Sequence, residues 1–247
     1  MKIRTNIIYN GDCKKGLNNI PKNSVDFILT DPPYKMDGNA KGGCGFLKDR
    51  EYLKNIYKEK LHKGFNMQIL EQFKRILKEM NLVIFCSKNQ LRNYLNWIHK
   101  NNYNWILITW NKKNPIPAIN NNYLPDTEYI FHIRKKGIGL NGNYNTKKRY
   151  YLTNINKNKF KHPTVKPLKI IRNLIINSTN KKDIVLDPFL GSGTTALACQ
   201  QLDRKFIGFE KEDKYIEIIK ERLLQKNVTS FFNKKQTNNI NFKFKKI

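Results

Sequence analysis

Short apolar segments rich in β-branched and aromatic residues alternate along the chain with segments of helical spacing. Seven of them have the length and composition of strands, and these are Asn6–Tyr9, Val25–Thr30, Leu82–Cys86, Trp105–Trp110, Glu128–Arg134, Asp183–Asp187 and Lys205–Phe209. Apolar residues with helical periodicity lie between them, within Ile69–Leu77, Leu91–Ile98, Leu168–Ile175 and Tyr215–Leu223. This alternation predicts an α/β fold with a doubly wound, mostly parallel sheet, helices on both faces and ligands at the carboxyl ends of the strands.

Three segments fall outside this alternation, within what we interpret as a single domain over residues 1–247. Residues 35–64, with Gly38, Gly42, Gly43 and Gly45 near their start, predict a mobile loop, whereas residues 135–161 are basic and aromatic and are expected to lie outside the sheet. The tail, residues 226–247, carries six Lys, four Phe and no acid, and its end is expected to be mobile.

The charge distribution indicates a polyanionic partner. The formal net charge is +28, and the 54 residues from Tyr129 to Lys182 contain fourteen Lys or Arg but no Asp or Glu. Part of this excess reflects a bias toward Lys and Asn, since only nine of the 47 basic residues are Arg. An acid-free stretch of this length nevertheless favours nucleic acid as a partner.

Other features narrow the class of protein. The four cysteines, Cys13, Cys44, Cys86 and Cys199, form no CxxC pair, which argues against a disulfide framework and against a zinc site, so we expect no metal. No apolar run reaches the roughly 18 residues of a membrane span, and residues 1–6 lack the apolar core of a signal peptide. We therefore expect a cytoplasmic protein without membrane contact.

The first candidate motif, Asp31-Pro32-Pro33-Tyr34, directly follows a predicted strand. The two prolines fix the backbone and remove two N–H donors, which leaves the Pro32 carbonyl available as an acceptor beside the Asp31 carboxylate. Tyr34 adds a flat ring for stacking. Two acceptors and a ring suit a planar base that bears an amino group, such as adenine or cytosine. A rigid turn at the strand exit is the alternative interpretation.

The second candidate motif follows the predicted strand Asp183–Asp187. It reads Asp187-Pro188-Phe189-Leu190-Gly191-Ser192-Gly193-Thr194-Thr195 and precedes an Ala/Leu helix, so its glycines permit close approach of a ligand to backbone N–H groups. Glu210 ends the next predicted strand, where an acid typically binds a ribose through both hydroxyls, although a solvated acid before a helix is the alternative. No Lys follows the glycines and GxGxxG is incomplete, which disfavours Walker-type and dinucleotide sites. A nucleoside with a small amino-acid tail fits better.

Together these motifs resemble the S-adenosylmethionine-dependent DNA amino-methyltransferases in the permuted order, catalytic motif first, called the β class. The resemblance extends to Gly11-Asp12, to His162-Pro163-Thr164-Val165-Lys166-Pro167, and, for the small adenine-N6 enzymes of restriction-modification systems, to Trp110–Pro117 and Asp126–Glu128. It implies a Rossmann-like, seven-stranded methyltransferase sheet, S-adenosylmethionine as cofactor and double-stranded DNA as partner. In this family the segment that corresponds to residues 135–161 is the target recognition insert.

The resemblance also implies roles for individual residues. The catalytic motif is Asp31, Pro32, Pro33 and Tyr34. The expected cofactor-binding residues are Asp12, Cys13, His162, Thr164, Lys166, Asp187, Pro188, Phe189, Gly191, Ser192, Gly193, Thr194, Thr195 and Glu210. Candidate DNA contacts are Lys112, Lys113, Asn114, Lys147, Lys148, Arg149 and Tyr150.

The expected activity is methyl transfer to N6 of adenine in double-stranded DNA, with the target base flipped out of the duplex. Asp31 favours adenine, because cytosine-N4 enzymes of this family more often carry Ser at that place. Cytosine-N4 methylation is the main alternative, followed by methylation of RNA or of a protein glutamine, and by a non-catalytic nucleic-acid-binding module. The family setting further implies a companion restriction endonuclease and a homodimer as candidate partners.

Overall fold

The computed structural model describes residues 4–34, 66–115, 117, 122–155, 165–232 and 242–247. The strands in this part of the chain are β1 Ile7–Asn10, β2 Phe27–Thr30, β3 Asn81–Cys86, β4 Asn104–Lys112, β5 Thr127–Arg134, β6 Tyr150–Thr153, β7 Ile184–Asp187, β8 Lys205–Glu210 and β9 Lys243–Lys246. The helices are α1 Cys13–Leu17, α2 Ile69–Ile76, α3 Leu91–Lys100, α4 Leu168–Ser178, α5 Thr194–Gln201 and α6 Asp213–Phe232, with a 3₁₀ turn at Lys88–Gln90. The predicted loop 35–64 lies outside the described residues.

All the described strands form one sheet in the order β6-β4-β5-β3-β2-β7-β8-β1-β9. Strand β5 runs antiparallel to β3 and β4, whereas the other pairs are parallel. The prediction of a doubly wound, mostly parallel sheet is confirmed, and the seven predicted strands are present with small differences at their ends.

Two predictions about the sheet are wrong. Residues 150–153 were expected outside the sheet, but they form β6 along β4, where Tyr151 packs into the core between exposed Tyr150 and Leu152. The tail was expected to be mobile at its end, but Lys243–Lys246 forms β9 along β1, and α6 extends to Phe232. The described sheet therefore has nine strands rather than seven, and both additions are short edge strands.

Each face of the sheet carries its own hydrophobic core. Alternate residues of the strands point to opposite faces, so Ile7, Ile28 and Ile84 pack with Leu17, Phe73, Tyr94 and their neighbours beneath α1, α2 and α3. On the other face, Ile8, Phe27 and Phe85 pack with residues of α4, α5 and α6, among them Ile171, Ala198 and Ile219.

The central strands bring the predicted motifs together at the edge of the sheet formed by the carboxyl ends of the parallel strands. The parallel strands β2, β7 and β8 are neighbours and end at Thr30, Asp187 and Glu210, so the segments that follow them start side by side. Because β5 runs the opposite way, it begins at this edge, which brings Glu128 there too. Among the residues described, no helix is both long and apolar enough to cross a membrane.

Candidate active site

The first predicted motif leaves the centre of the sheet at the end of β2. The Tyr34 hydroxyl donates to Oδ1 of Asp31 at 2.8 Å and lies 3.1 Å from Oε2 of Glu128. Since a phenol has one hydrogen to donate, it serves one carboxylate at a time. Tyr34 thus bridges two carboxylates that are 97 positions apart in the sequence.

A buried lysine joins the same two carboxylates. The Lys166 ammonium forms an ion pair with Oδ2 of Asp31, and it lies 3.3 Å from Oε2 of Glu128. Lys112, at the end of β4, binds the other oxygen of Glu128 at 2.9 Å. Two acids and two bases from separate strands and loops therefore form one connected network in which the formal charges cancel.

Burial and neighbouring charges together set the protonation of this network. Burial raises the pKa of Asp31, the charge of Glu128 raises it further, and Lys166 opposes both. Burial also acts to raise the pKa of Glu128, but Lys166 and Lys112 outweigh it and the pKa falls. Burial acts to lower the pKa of Lys166, yet the two carboxylates raise it overall. The two carboxylates therefore keep Lys166 charged.

The second predicted motif forms a tight loop between β7 and α5. Gly191 and Gly193 have φ of 53° and 78°, in the left-handed region that favours glycine, and Gly193 is the N-cap of α5. A Cβ on Gly193 would lie 2.9 Å from Cγ1 of Ile219 in α6. The loop can therefore fold closely only with glycine at this position.

Two buried carboxylates flank this loop. Oδ1 of Asp187 accepts from the Phe189 N–H at 3.1 Å, and Glu210 accepts from the Gly191 N–H at 2.7 Å and from the Glu212 N–H at 2.9 Å. Burial raises the pKa of Asp187 and that of Glu210 to about 7 each, against these stabilising contacts. The Lys211 N–H is a third backbone partner, and because a carboxylate has about four acceptor positions, Glu210 can still accept from a further hydroxyl.

Asp12 and Cys13 lie beside Glu210. The Gly11 N–H donates to the Glu210 carbonyl at 2.8 Å, and Asp12 then caps α1 by accepting from the Lys14 N–H at 2.9 Å. Cys13 is buried, and burial raises the pKa of its thiol to about 12, so it is not a reactive nucleophile. Pro188, Ser192, Thr194 and Thr195 are also buried around the loop. His162 and Thr164 lie outside the described residues.

The predicted DNA contacts are placed in two different settings. Lys147, Lys148, Arg149 and Tyr150 are exposed before and at the start of edge strand β6, and Tyr150 is 61% exposed. Lys112 instead pairs with Glu128 and has a side chain only 16% exposed. Oδ1 of Asn114 accepts from the Ile155 N–H at 2.6 Å, so this side chain ties the end of β4 to the segment after β6. Lys113 donates its backbone N–H to the Thr153 carbonyl at 3.0 Å.

Two residues of the site had no assigned role in the sequence. Glu128 was identified from the sequence only as part of the motif Asp126–Glu128. Its position at the start of a buried strand, in a chain with few acids, is a sequence feature that could have indicated a role in the site. Arg222, in α6, donates to the carbonyl of Ser192, to its hydroxyl at 2.8 Å and to the hydroxyl of Thr194 at 3.2 Å. It supports the glycine loop from behind, and nothing in its local sequence indicates this.

Comparison with known proteins agrees with this geometry. Residues 25–221 match the family model described as DNA methylase. The type II methyltransferase M2.MboI of Moraxella bovis is 31% identical over 239 residues, covering 87% of this chain and 86% of that protein.

Solved structures give the same result. The M1.HpyAVI-SAM complex has a TM-score of 0.66 and 30% identity, covering 87% of this chain and 98% of that chain. The cytosine-N4-specific PvuII DNA methyltransferase has a TM-score of 0.68 and covers 97% of this chain and 94% of its own, but at 17% identity the likeness concerns the fold alone. From the matched residues and the convergence of both motifs at one sheet edge, we conclude that the chain belongs to the DNA methylase family.

Proposed function

We propose that this protein transfers a methyl group from S-adenosylmethionine to N6 of adenine in double-stranded DNA. One observation carries the proposal: the Asp31 motif and the glycine loop with its two flanking acids leave neighbouring strands at the same sheet edge. An acceptor for an amino group is thereby held beside a site suited to a nucleoside with an amino-acid tail.

The residues around the glycine loop fit S-adenosylmethionine, and the similar M1.HpyAVI structure is a complex with SAM. Glu210 retains an acceptor position for a ribose hydroxyl beside its backbone partners, and the loop offers backbone N–H groups at the start of α5 to a carboxylate. When bound, the cofactor supplies a methyl group activated by its sulfonium. The other residues we assign to this site are Asp12, Cys13, His162, Thr164, Lys166, Asp187, Pro188, Phe189, Ser192, Thr194 and Thr195.

The catalytic motif positions the target base. Inside a duplex the amino nitrogen is paired and stacked, so the base must be extruded at a cost of a few kcal/mol. Tyr34 then stacks on the base, while Asp31 and the Pro32 carbonyl, held rigid by Pro33, accept the two N6 hydrogens. These contacts orient the nitrogen lone pair, so positioning and electrostatics provide most of the rate acceleration.

Adenine is preferred over cytosine because the acceptor is Asp31. Incubation of the protein with labelled S-adenosylmethionine and unmethylated duplex DNA, followed by nucleoside analysis, tests this choice. We expect the label in N6-methyladenine. Label in N4-methylcytosine would establish the alternative activity, and unlabelled DNA would contradict methylation of DNA altogether.

Target recognition is assigned to residues 135–161 and to Lys113, whereas the side chains of Lys112 and Asn114, also predicted to contact DNA, are engaged within the chain. The exposed Lys147, Lys148, Arg149 and Tyr150 combine phosphate-binding charge with a ring and supply the side chains for this role. Exchange of residues 135–161 for the corresponding segment of a relative should change the methylated sequence. An unchanged target in sequencing of modified bases would exclude the segment from recognition.

The biological setting is also a proposal. The relatives named type II methyltransferases support our proposal that the protein belongs to a restriction-modification system with a companion endonuclease. A cytoplasmic location is part of the same proposal. A homodimer rests on the family resemblance alone.

A further inference from the structure

The Lys166 ammonium occupies an unusual place in the site. Its side chain is only 8% exposed, and two of its three N–H bonds point to Asp31 and Glu128. The rings of Tyr34, Phe85 and Trp110 surround it, with centroids at 5.6, 5.2 and 6.0 Å from Nζ. A charged donor is therefore buried beside the ring on which the target base is expected to stack.

The acceptor and the donor lie next to each other. Asp31 and Lys166 form a hydrogen-bonded pair, so the pocket presents an acceptor with a donor immediately beside it. Adenine presents the complementary pair on its Watson–Crick edge, the amino group as donor and ring nitrogen N1 as acceptor. Enzymes that extrude a base commonly read this edge by hydrogen bonds.

We propose that Lys166 is a specificity-determining residue whose ammonium donates to N1 of the extruded adenine while Asp31 accepts from N6. This inference rests on the proposed function and deepens it. The pair would replace the hydrogen bonds of the lost thymine partner. Guanine and thymine present a carbonyl oxygen in place of the amino group, and that oxygen would face the carboxylate, so the pair also rejects them.

Glu128 is the positioning residue in this arrangement. It lies 3.3 Å from the ammonium of Lys166 and 3.1 Å from the hydroxyl of Tyr34, and Lys112 fixes its other oxygen. It therefore holds the lysine beside Asp31 without itself facing the base.

Deaza analogues test the proposal. The rate of methyl transfer, as kcat/KM, is measured on duplexes that carry adenine, 1-deazaadenine or 7-deazaadenine at the mapped target position. The wild-type protein should lose about 10- to 100-fold on 1-deazaadenine, which lacks N1, and little on 7-deazaadenine. Equal rates on adenine and 1-deazaadenine would overturn the proposal, as would an equal loss on both analogues.

Substitution of Lys166, combined with the base analogues, gives a double-mutant cycle between the lysine and N1 of the base. Lys166→Met should be slowed on adenine by a similar factor and should show no further loss on 1-deazaadenine, because the two changes remove the same hydrogen bond. Lys166→Arg, which retains a charged donor, should keep part of the discrimination. If 1-deazaadenine slows Lys166→Met by the same factor as it slows the wild type, the two losses are independent. Lys166 then has no role in recognition of N1 and acts only through Asp31.

Controls separate this result from loss of folding and from failure of the proposed function. Lys78→Met removes a lysine of a surface ion pair with Asp26, outside the acid-free stretch, and should behave as the wild type on all three duplexes. Circular dichroism and thermal unfolding establish that each variant is folded, because Lys166 is itself assigned to the cofactor site and cofactor binding could change without unfolding. If Lys166→Met does not fold, the comparison of the three duplexes with the wild-type protein alone tests the proposal. Absence of methylation on every adenine would instead overturn the proposed function, and the inference with it.

Discussion

At the scale of single residues, the site is built from carboxylates that burial makes costly to ionise. Each one has compensating partners: Lys166 and Tyr34 for Asp31, and backbone N–H groups for Asp187 and Glu210. The compensation is partial, since burial still raises the pKa of Asp187 and that of Glu210 to about 7. Their charge is therefore sensitive to pH in the neutral range.

The pKa of Glu210 predicts how cofactor affinity depends on pH. Ribose hydroxyls donate best to an ionised carboxylate, and Glu210 loses its proton as pH rises through about 7. Affinity for S-adenosylmethionine should therefore rise by about tenfold between pH 6 and 8 in calorimetry. Asp187, which titrates in the same range, acts in the same direction.

Substitution isolates the contribution of Glu210. Glu210→Gln should bind more weakly and show a flatter pH profile, whereas Glu217→Gln, at a surface ion pair with Lys220, should match the wild type. If Glu210→Gln keeps both the affinity and the full pH dependence, the ribose is held elsewhere.

Substitution of three glycines by alanine distinguishes the effect of backbone strain on stability from that of steric conflict. Gly193→Ala combines φ of 78° with a Cβ 2.9 Å from Ile219, Gly137→Ala has φ of 88° in open space, and Gly139→Ala has neither constraint. In denaturant unfolding we expect no loss for Gly139→Ala, about 1 kcal/mol for Gly137→Ala and more for Gly193→Ala. Only Gly193→Ala should also weaken cofactor binding. Equal stability of all three variants would contradict the tight loop.

At the scale of elements, the sequence was informative where a strand is buried on both sides. Strands β2, β3 and β7 are buried along their whole length, and continuous apolar runs predicted them. The edge strands β6 and β9 were missed because an edge strand needs little apolar surface and commonly carries lysine. In β6 only Tyr151 points into the core. A short basic segment with one buried residue has the sequence pattern of a loop, so the sequence did not predict a strand here.

Strand direction explains why part of the site was missed. The sequence predicted that Asp31, Asp187 and Glu210 lie at the ends of strands in a mostly parallel sheet, with ligands at the carboxyl ends of those strands. Nothing in the sequence shows that β5 is reversed, and only this reversal brings Glu128 to Tyr34 and Lys166. The long-range support of Ser192 by Arg222 likewise depends on packing between distant elements.

Strand β9 is expected to stabilise the edge of the sheet beside β1. The Lys243 N–H donates a hydrogen bond to the Asn6 carbonyl at 2.9 Å, and the preceding Phe242 packs on Phe206 with ring centroids 5.9 Å apart. Deletion of residues 242–247 should therefore lower the free energy of unfolding by about 2 kcal/mol without changing the methylated sequence.

A charge-only variant is the matched control for that deletion. Replacement of Lys243, Lys245 and Lys246 by Gln keeps the strand and should keep most of the stability. If these lysines contact DNA, the salt dependence of binding becomes shallower in this variant by up to about 0.9 per lost contact. A deletion variant as stable as the wild type would show that β9 does not hold the sheet edge.

At the scale of the whole molecule, the charge and the sheet give complementary information. The acid-free stretch from Tyr129 to Lys182 begins in β5, includes β6 and ends after α4, so it lies between the two motifs, shortly before the second one. At the site, by contrast, the charges are paired, because two carboxylates form ion pairs with two lysines. A basic chain thus surrounds a locally balanced pocket, which suits a polyanion whose reacting base is uncharged.

The central claim is that Asp31 acts in methyl transfer at an edge where a separate loop holds the cofactor. The most direct test measures labelled methyl transfer to DNA and calorimetric binding of S-adenosylmethionine in the same preparations of wild type, Asp31→Ala and the surface control Asp203→Ala. We expect Asp31→Ala to lose at least about 100-fold in transfer while it still binds the cofactor, and Asp203→Ala to match the wild type. Near-normal transfer by Asp31→Ala, or loss of transfer and cofactor binding together, would contradict the claim.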